Sequence, residues 1–366
     1  MKSAHSKKSL NAVFVNVGLA LLVILWFIPT FGVFVSSFRE RFDIQTSGWW
    51  TILPHREYVQ TKSINPREAG LDATGPMQVE GVTATFEELR NGVSSGDTRL
   101  IWIGNRRIGT IEVQELQWTT KTNFSLDNYL QVLQGKAFEY QRPDGTVETI
   151  RGDDFSAALF NSLAVSVPAT VIPILIAAFA AYGFAWINFP GRRWMFILVV
   201  ALLVVPLQVA LVPLLRDFAG LKLNGTFLAV WLAHTGFGLP LATYLLFNYI
   251  STLPRETLES AFIDGASHFT VFNRLILPLS VPALASFAIF QFLWVWNDYL
   301  VALIFLGGDP NFQVVTMRLA NIVGDRGQDW HLLTAGAFVS MLLPLIVFFS
   351  LQRYFVRGLL AGSVKG

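Results

Sequence analysis

Leu253-Pro254-Arg255-Glu256-Thr257-Leu258-Glu259-Ser260-Ala261-Phe262-Ile263-Asp264-Gly265-Ala266-Ser267 is a polar stretch set between two long apolar runs. Pro254 suits the first turn of a helix. Arg255 to Asp264 is long enough for about three turns, and Gly265 suits the position just past the end. Leu258, Ala261 and Phe262 recur at spacings of three and four, so this helix carries an apolar stripe. Ser267 can cap a second helix, predicted to reach Leu277 before Pro278 stops it. Residues 251–280 therefore predict a helix–turn–helix joining two apolar runs. A short amphipathic helix in that position either docks on a partner surface or lies on a membrane interface. Periodicity alone leaves both open.

Outward from that stretch the chain is unusually apolar. Charged residues are 14% of it, against about 25% in a soluble domain. Six segments are long and apolar enough to span a bilayer, which takes ~20 residues each. They run from Asn11 to Phe38, Ala157 to Asn188, Trp194 to Leu215, Thr226 to Ile250, Val281 to Leu306 and Leu332 to Gln352. The first follows Lys2, Lys7 and Lys8, but its apolar run is longer than a signal core and no small-residue cleavage site follows. It reads as a retained helix. Prolines 168, 173, 206, 213, 240 and 344 interrupt the spans, which membranes tolerate where neighbours re-satisfy the backbone.

Orientation follows from Lys and Arg in the short connections. One side holds Lys2, Lys7, Lys8, Arg192, Arg193, Arg255, Arg274, Arg353, Arg357 and Lys365; the other holds Arg216, Lys222, Arg318 and Arg326. The excess predicts both termini in the cytoplasm. The expected fold class is an all-α integral membrane protein of six transmembrane helices. A large extracytoplasmic insertion, β-rich, separates helices one and two. Within it Arg99 to Gly104 and Ile108 to Val113 alternate as strands around Asn105-Arg106-Arg107, which reads as a hairpin. The expected organisation is 1–38 for the N-terminus and first helix, 39–156 for the insertion, 157–352 for a five-helix core with its loop at 251–280, and 353–366 for a cytoplasmic tail.

The loop resembles the signature of permeases of ABC importers, Glu-Ala-Ala-x3-Gly-x9-Ile-x-Leu-Pro. Glu259-Ser260-Ala261 is followed by Gly265 and then by Leu275-Ile276-Leu277-Pro278. Ser260 and Leu275 are the departures, both mild. Phe124-Ser125-Leu126-Asp127-Asn128-Tyr129, Asn161-Ser162, Ala180-Ala181-Tyr182, Phe189-Pro190-Gly191-Arg192-Arg193, Phe290-Gln291-Phe292, Trp296-Asn297-Asp298 and the Gly358 to Gly366 tail are similar to the carbohydrate, maltose-type branch. Much of the insertion lies outside that resemblance; its size is similar to that in α-glucoside importers. The resemblance implies that Glu259, Ser260, Ala261, Asp264 and Gly265 engage a partner ATPase. It implies that Gly362 and Lys365 of the tail reach the same partner. It implies as partners two ATP-binding-cassette subunits that hold ATP and magnesium, a second permease and an extracytoplasmic solute-binding protein. The chain itself then needs no cofactor, metal or catalytic residue.

The solute path is less marked. Asn161, Gln208, His234, Gln291 and Asn297 are its candidates, since amides and imidazole hydrogen-bond hydroxyls, although polar residues also join helices. Trp294 and Trp296 either stack on a sugar or belong to an interfacial belt. Asp298, 17 residues along the fifth span, is expected near the outer interface in a structural or gating role. The expected function is import of a sugar, an oligosaccharide or α-glucoside, through the inner membrane. A polyamine or oxyanion permease is the rival within transport. A membrane-embedded enzyme is the rival outside it. The chain has no Gly-x4-Gly-Lys-Ser/Thr phosphate loop, no His-Glu-x2-His zinc helix and no Gly-x-Ser-x-Gly elbow. A secondary transporter would need an intramembrane charge relay, and a single Asp is a poor one. Cysteine is absent, so no disulfide or thiolate chemistry is available. A net charge of +2 gives no footprint for nucleic acid.

Overall fold

Side-chain caps and prolines set most element boundaries in the computed structural model. It describes residues 2–135, 137–141, 147–151, 154–324 and 329–361, with side chains for 12–135, 154–322 and 329–355. The chain divides into two contact units, Met1–Val35 with Arg39–Phe124, and Ser36–Phe38 with Ser125–Gly366.

The first unit begins with α1 (Lys2–Ser37), whose apolar portion Ala12–Ser37 is unburied through its most hydrophobic window. A short helix α2 (Arg41–Thr46) and a 3-10 turn (Trp49–Ile52) lead into β1 (His55–Ile64). Then come β2 (Met77–Val79), β3 (Val82–Ala84), α3 (Phe86–Asn91), β4 (Val93–Ser95), β5 (Thr98–Gly104) and β6 (Gly109–Thr119). Four strands form one antiparallel sheet in the order β1-β6-β5-β4, with a bulge between Gln60 and Lys62. The expected hairpin is β5–β6, turned by Asn105, whose Oδ1 accepts from the N–H groups of Arg107 and Ile108. Alternation puts Leu100, Trp102, Ile111 and Val113 on one face, where they bury against Phe86 and Leu89 of α3 and the β2–β3 hairpin. Thr85 and Glu88 cap α3 reciprocally.

The second unit opens with α4 (Asp127–Gln134) and a hairpin of β7 (Ala137–Gln141) and β8 (Val147–Arg151). Asp154 then caps α5 (Phe155–Trp186) by accepting from Ser156 N–H. After it come α6 (Arg192–Ala201), α7 (Leu207–Gly220), α8 (Phe227–Ile250), α9 (Arg255–Ile263), α10 (His268–Val271), α11 (Leu277–Leu279), α12 (Val281–Asn297), α13 (Leu300–Leu306), α14 (Val315–Gly324) and α15 (Trp330–Ala361). Its core is α5 packed on α8 and α12, with α15 against α12. Ala169, Ala177, Ala178 and Ala181 of α5 and Ala229, Ala233 and Ala242 of α8 are at most 1% exposed. Such small residues let helix backbones approach closely. Tryptophan N–H groups fasten the layers: Trp231 donates to Ala164 O of α5 and Trp296 to Ser340 O of α15.

Among the described residues, four single helices are long and apolar enough to cross a membrane. They are Ala12–Ser37, Phe155–Trp186, Phe227–Ile250 and Trp330–Phe355; two bent pairs raise the number to six if each counts as one span. At three places the backbone takes a course other than that of one straight helix. The segment from Trp194 to Leu215 is two helices bent by 102° at Pro206, which has no N–H to continue the ladder. The segment from Val281 to Leu306 stops at Asn297, and α13 starts afresh after Asp298. Pro278 does not end the second loop helix. A π-turn, Phe272–Ile276, sends the Leu277 N–H back to Phe272 O and carries the helix to Leu279. The sharp bend of 71° comes one residue later, at Ser280.

Candidate functional site

The loop helix α9 is held by one side and open on the other. Leu258 is 1% exposed and packs with Ile250, Val271, Phe272 and Ile276. Arg255, Glu256, Glu259 and Ile263 are exposed, Ile263 at 85%. The C-terminus is a Schellman motif: Gly265 N–H donates to Phe262 O and Ala266 N–H to Ala261 O, each at 3.0 Å. Gly265 has φ +84°, a conformation that disfavours a side chain although no atom lies within 4 Å of where a Cβ would be. Ala261 is half-buried against the core, whereas Ser260 is exposed and returns its hydroxyl to Thr257 O of its own helix. Asp264 is exposed at the C-cap, the end where a helix dipole disfavours negative charge.

A hydrogen bond that sequence spacing did not reveal joins this loop to α5. Ser267 caps α10 through Thr270 N–H, which sets His268 at the start of the helix. His268 Nδ1 lies 2.8 Å from Tyr182 Oη on α5. The imidazole also meets Phe262 of α9, at 4.8 Å between centroids. Phe272 stacks on Phe179 at 4.2 Å and tilts against Tyr182 at 5.6 Å. A continuous aromatic path therefore runs from α9 through α10 to the end of α5. The only signal in the chain was Tyr182 itself, within Ala180-Ala181-Tyr182.

A second polar group lies deep in the helical core. His234 of α8 is 1% exposed, and its Nε2 is 3.5 Å from Asp298 Oδ2. Its ring meets Trp294 edge-on at 5.0 Å. Asp298 Oδ2 also accepts from Val301 N–H, capping α13, and its carbonyl accepts from Thr316 Oγ1. Gln291 is 2% exposed and donates to Ala169 O of α5 and His234 O of α8. A side chain at Gly238 would meet the Gln291 amide at 2.7 Å. Beside these residues α8 and α12 line an open groove of about 430 Å³, formed by Leu241, Leu245, Phe287, Phe290, Gln291 and Trp294.

The other sequence candidates are not drawn into this group. Asn161 donates to Asn311 O and Gln313 O, fixing the segment before α14. Asn297 is exposed and donates to Leu293 O one turn back. Gln208 is exposed near the start of α7, and Trp296 is buried against α15. Gly362 and Lys365 lie outside the described residues. Among the described residues no three His, Cys, Asp or Glu side chains cluster as metal ligands.

Long apolar helices, two pairs of them sharply bent, with an amphipathic loop helix packed against them, are the architecture of a membrane protein. The family described as "Binding-protein-dependent transport system inner membrane component" matches residues 173–360. The chain belongs to that family, whose members are permeases of ABC transporters rather than enzymes. It is 46% identical to the "Osmoprotective compounds uptake permease protein GgtD" of Synechocystis sp., over 96% of this chain and 91% of that one. It is 45% identical to the "Alpha-glucoside transport system permease protein AglG" of Rhizobium meliloti, over 96% and 97%. The "Arabinooligosaccharides transport system permease protein AraQ" of Halalkalibacterium halodurans is 33% identical over 56% of this chain and 73% of its own. Alignments with the first two, at 96% of the chain, run through the insertion.

Proposed function

We propose that this chain is the inner-membrane permease subunit of an importer for a sugar of the α-glucoside class, driven by ATP hydrolysis in partner subunits. The observation that carries the reading is similarity across nearly the whole chain, insertion included, to an α-glucoside permease. On this reading each bent helix pair is one span. The spans then number six, both termini are cytoplasmic, and residues 39–156 are extracytoplasmic. Residues 157–352 form the permease core, and 353–366 the cytoplasmic tail.

The face of α9 bearing Glu259, with Ser260 beside it, is the knob that enters an ATPase subunit. Ala261 sits where the knob meets its base. Asp264, disfavoured by the helix dipole, is explained by a partner contact at that end. Gly265 makes the turn. Closure of the ATPase then moves α9 as a rigid body, and His268 and Tyr182 pass that motion to α5. The tail residues Gly362 and Lys365 reach the same partner. A second permease subunit completes the path, and a soluble binding protein delivers the solute from outside.

In this reading the solute passes beside the groove between α8 and α12. Gln291 and Trp294 are its polar and aromatic features. His234, Asn161, Gln208 and Asn297 serve the path by shaping it. An osmoprotective solute is the second reading, favoured by the similarity to the uptake permease of Synechocystis. A thermal-shift screen of the cognate binding protein against α-glucosides, other sugars and osmolytes decides between them. Stabilisation by osmolytes with no response to α-glucosides would replace the first reading with the second. A response to polyamines alone would remove both.

A further inference from the structure

The segment that follows α1 is built with its charge inward and its apolar groups outward. Arg39 is 1% exposed. Its guanidinium donates to Asp43 O, Ser47 O, Ser47 Oγ and Thr51 Oγ1, so α2 and the 3-10 turn fold around it. Phe42, Trp50 and Leu53 point away from that centre, exposed at 72%, 60% and 57%. In water this arrangement costs hydrophobic free energy in proportion to the apolar area left exposed.

The depth of the segment follows from its contact with α1. Trp49 meets Phe31 edge-on at 5.7 Å, and a Cβ at Gly32 would come within 2.6 Å of its indole nitrogen. The indole therefore lies on the helix backbone, about six residues before the end of the span at Ser37. The 26-residue apolar portion of α1 measures about 39 Å at ~1.5 Å per residue, against ~30 Å of hydrocarbon. Shared between two ends, the surplus leaves Phe31 just inside the hydrocarbon boundary. Trp50 packs near Trp49 at 6.3 Å, and its ring folds over Gly48, where a Cβ would come within 2.3 Å. Trp118, 72% exposed, pairs with Arg56 at the end of the sheet that adjoins the turn. Indoles favour that depth.

We propose that α2 and the Trp49–Ile52 turn form an interfacial anchor, with Phe42, Trp50 and Leu53 seated among lipid headgroups and upper acyl chains at the C-terminal end of α1. Lipid is the occupant because the patch continues the unburied apolar surface of α1. The anchor fixes the height of the sheet above the bilayer without a second span. It does not depend on which side of the membrane the insertion faces.

The native chain has no cysteine, so single probes are direct. Phe42→Cys and Leu53→Cys, each labelled with an environment-sensitive fluorophore, are assembled with cysteine-free partners in phospholipid nanodiscs. Ile108→Cys, at a position 77% exposed, is the aqueous reference. Lipids spin-labelled near the headgroup are expected to quench the probes at 42 and 53 more than at 108, and aqueous iodide is expected to quench them less. Iodide access equal to that at 108 overturns the proposal in favour of water. Protection from both quenchers overturns it in favour of a protein partner. If one variant does not assemble, the other carries the test.

Discussion

At the scale of single residues, Gly265 and Glu259 answer different questions. Gly265 is required by backbone geometry alone. Gly265→Ala should cost about 1–2 kcal/mol for a left-handed residue with a Cβ, and Gly265→Asn less, since Asn tolerates that region. Thermal unfolding of the two variants checks the order; equal stability of Ala and glycine at this position would mean the φ is relieved. Glu259 is exposed and contributes little to the fold. Glu259→Lys should insert normally, while uptake and stimulated ATPase activity are lost. Wild-type uptake by that variant would end the docking assignment. Asp298 shows what one residue does to an apolar run. Read as part of a long span it was expected near a surface. Its carboxylate accepts from Val301 N–H at the start of α13 and lies by His234, a structural role at the point where the apolar run breaks.

At the scale of elements, the loop and the core meet through Tyr182 and His268. Tyr182→Phe keeps the ring contacts and removes one hydrogen bond, a loss of about 0.5–1.5 kcal/mol. Stability and ATPase binding should survive, and the stimulation of ATPase activity by loaded binding protein should fall. A variant with normal stimulation and normal uptake would reduce this contact to packing. The insertion makes a different prediction, one of pH. The Glu57 carboxyl is raised by partial burial, but Lys121 and His55 outweigh that and hold it below its ordinary value. Thr74 lowers Asp72 and Thr85 lowers Glu88 by hydrogen bonding. Because the folded values lie below the unfolded ones of about 4, these groups stabilise the fold above that pH. The contribution disappears as pH falls through the depressed values. Limited proteolysis of the insertion should therefore be slow at neutral pH and accelerate below about pH 4; acceleration on raising the pH instead would contradict the assignment.

At the scale of the whole molecule, the insertion carries its own core. Residues 64–115 contribute every buried member of that apolar cluster, from Met77 to Val113. Their deletion should leave the ladder from His55 to Tyr58 with Leu116 to Thr119 able to close the gap. Membrane insertion and assembly with the ATPase are then expected to persist, with weaker stimulation by loaded binding protein. Unchanged stimulation would remove the insertion from delivery of the solute.

The sequence alone determined the features that depend on neighbours a few residues away. Apolar runs, the β5–β6 hairpin and the turn at Gly265 follow from hydropathy, alternation and local capping, which are short-range. The tertiary structure decided where those runs break. Prolines 168 and 173 stay inside the continuous helix α5, whereas Pro206 bends its pair by 102°; the proline is the same, and the packing around it differs. The meetings of Tyr182 with His268, 86 residues apart, and of His234 with Asp298 were likewise invisible in the chain. Such contacts arise when close-packed helices bring distant side chains together, and no local spacing encodes which ones will meet.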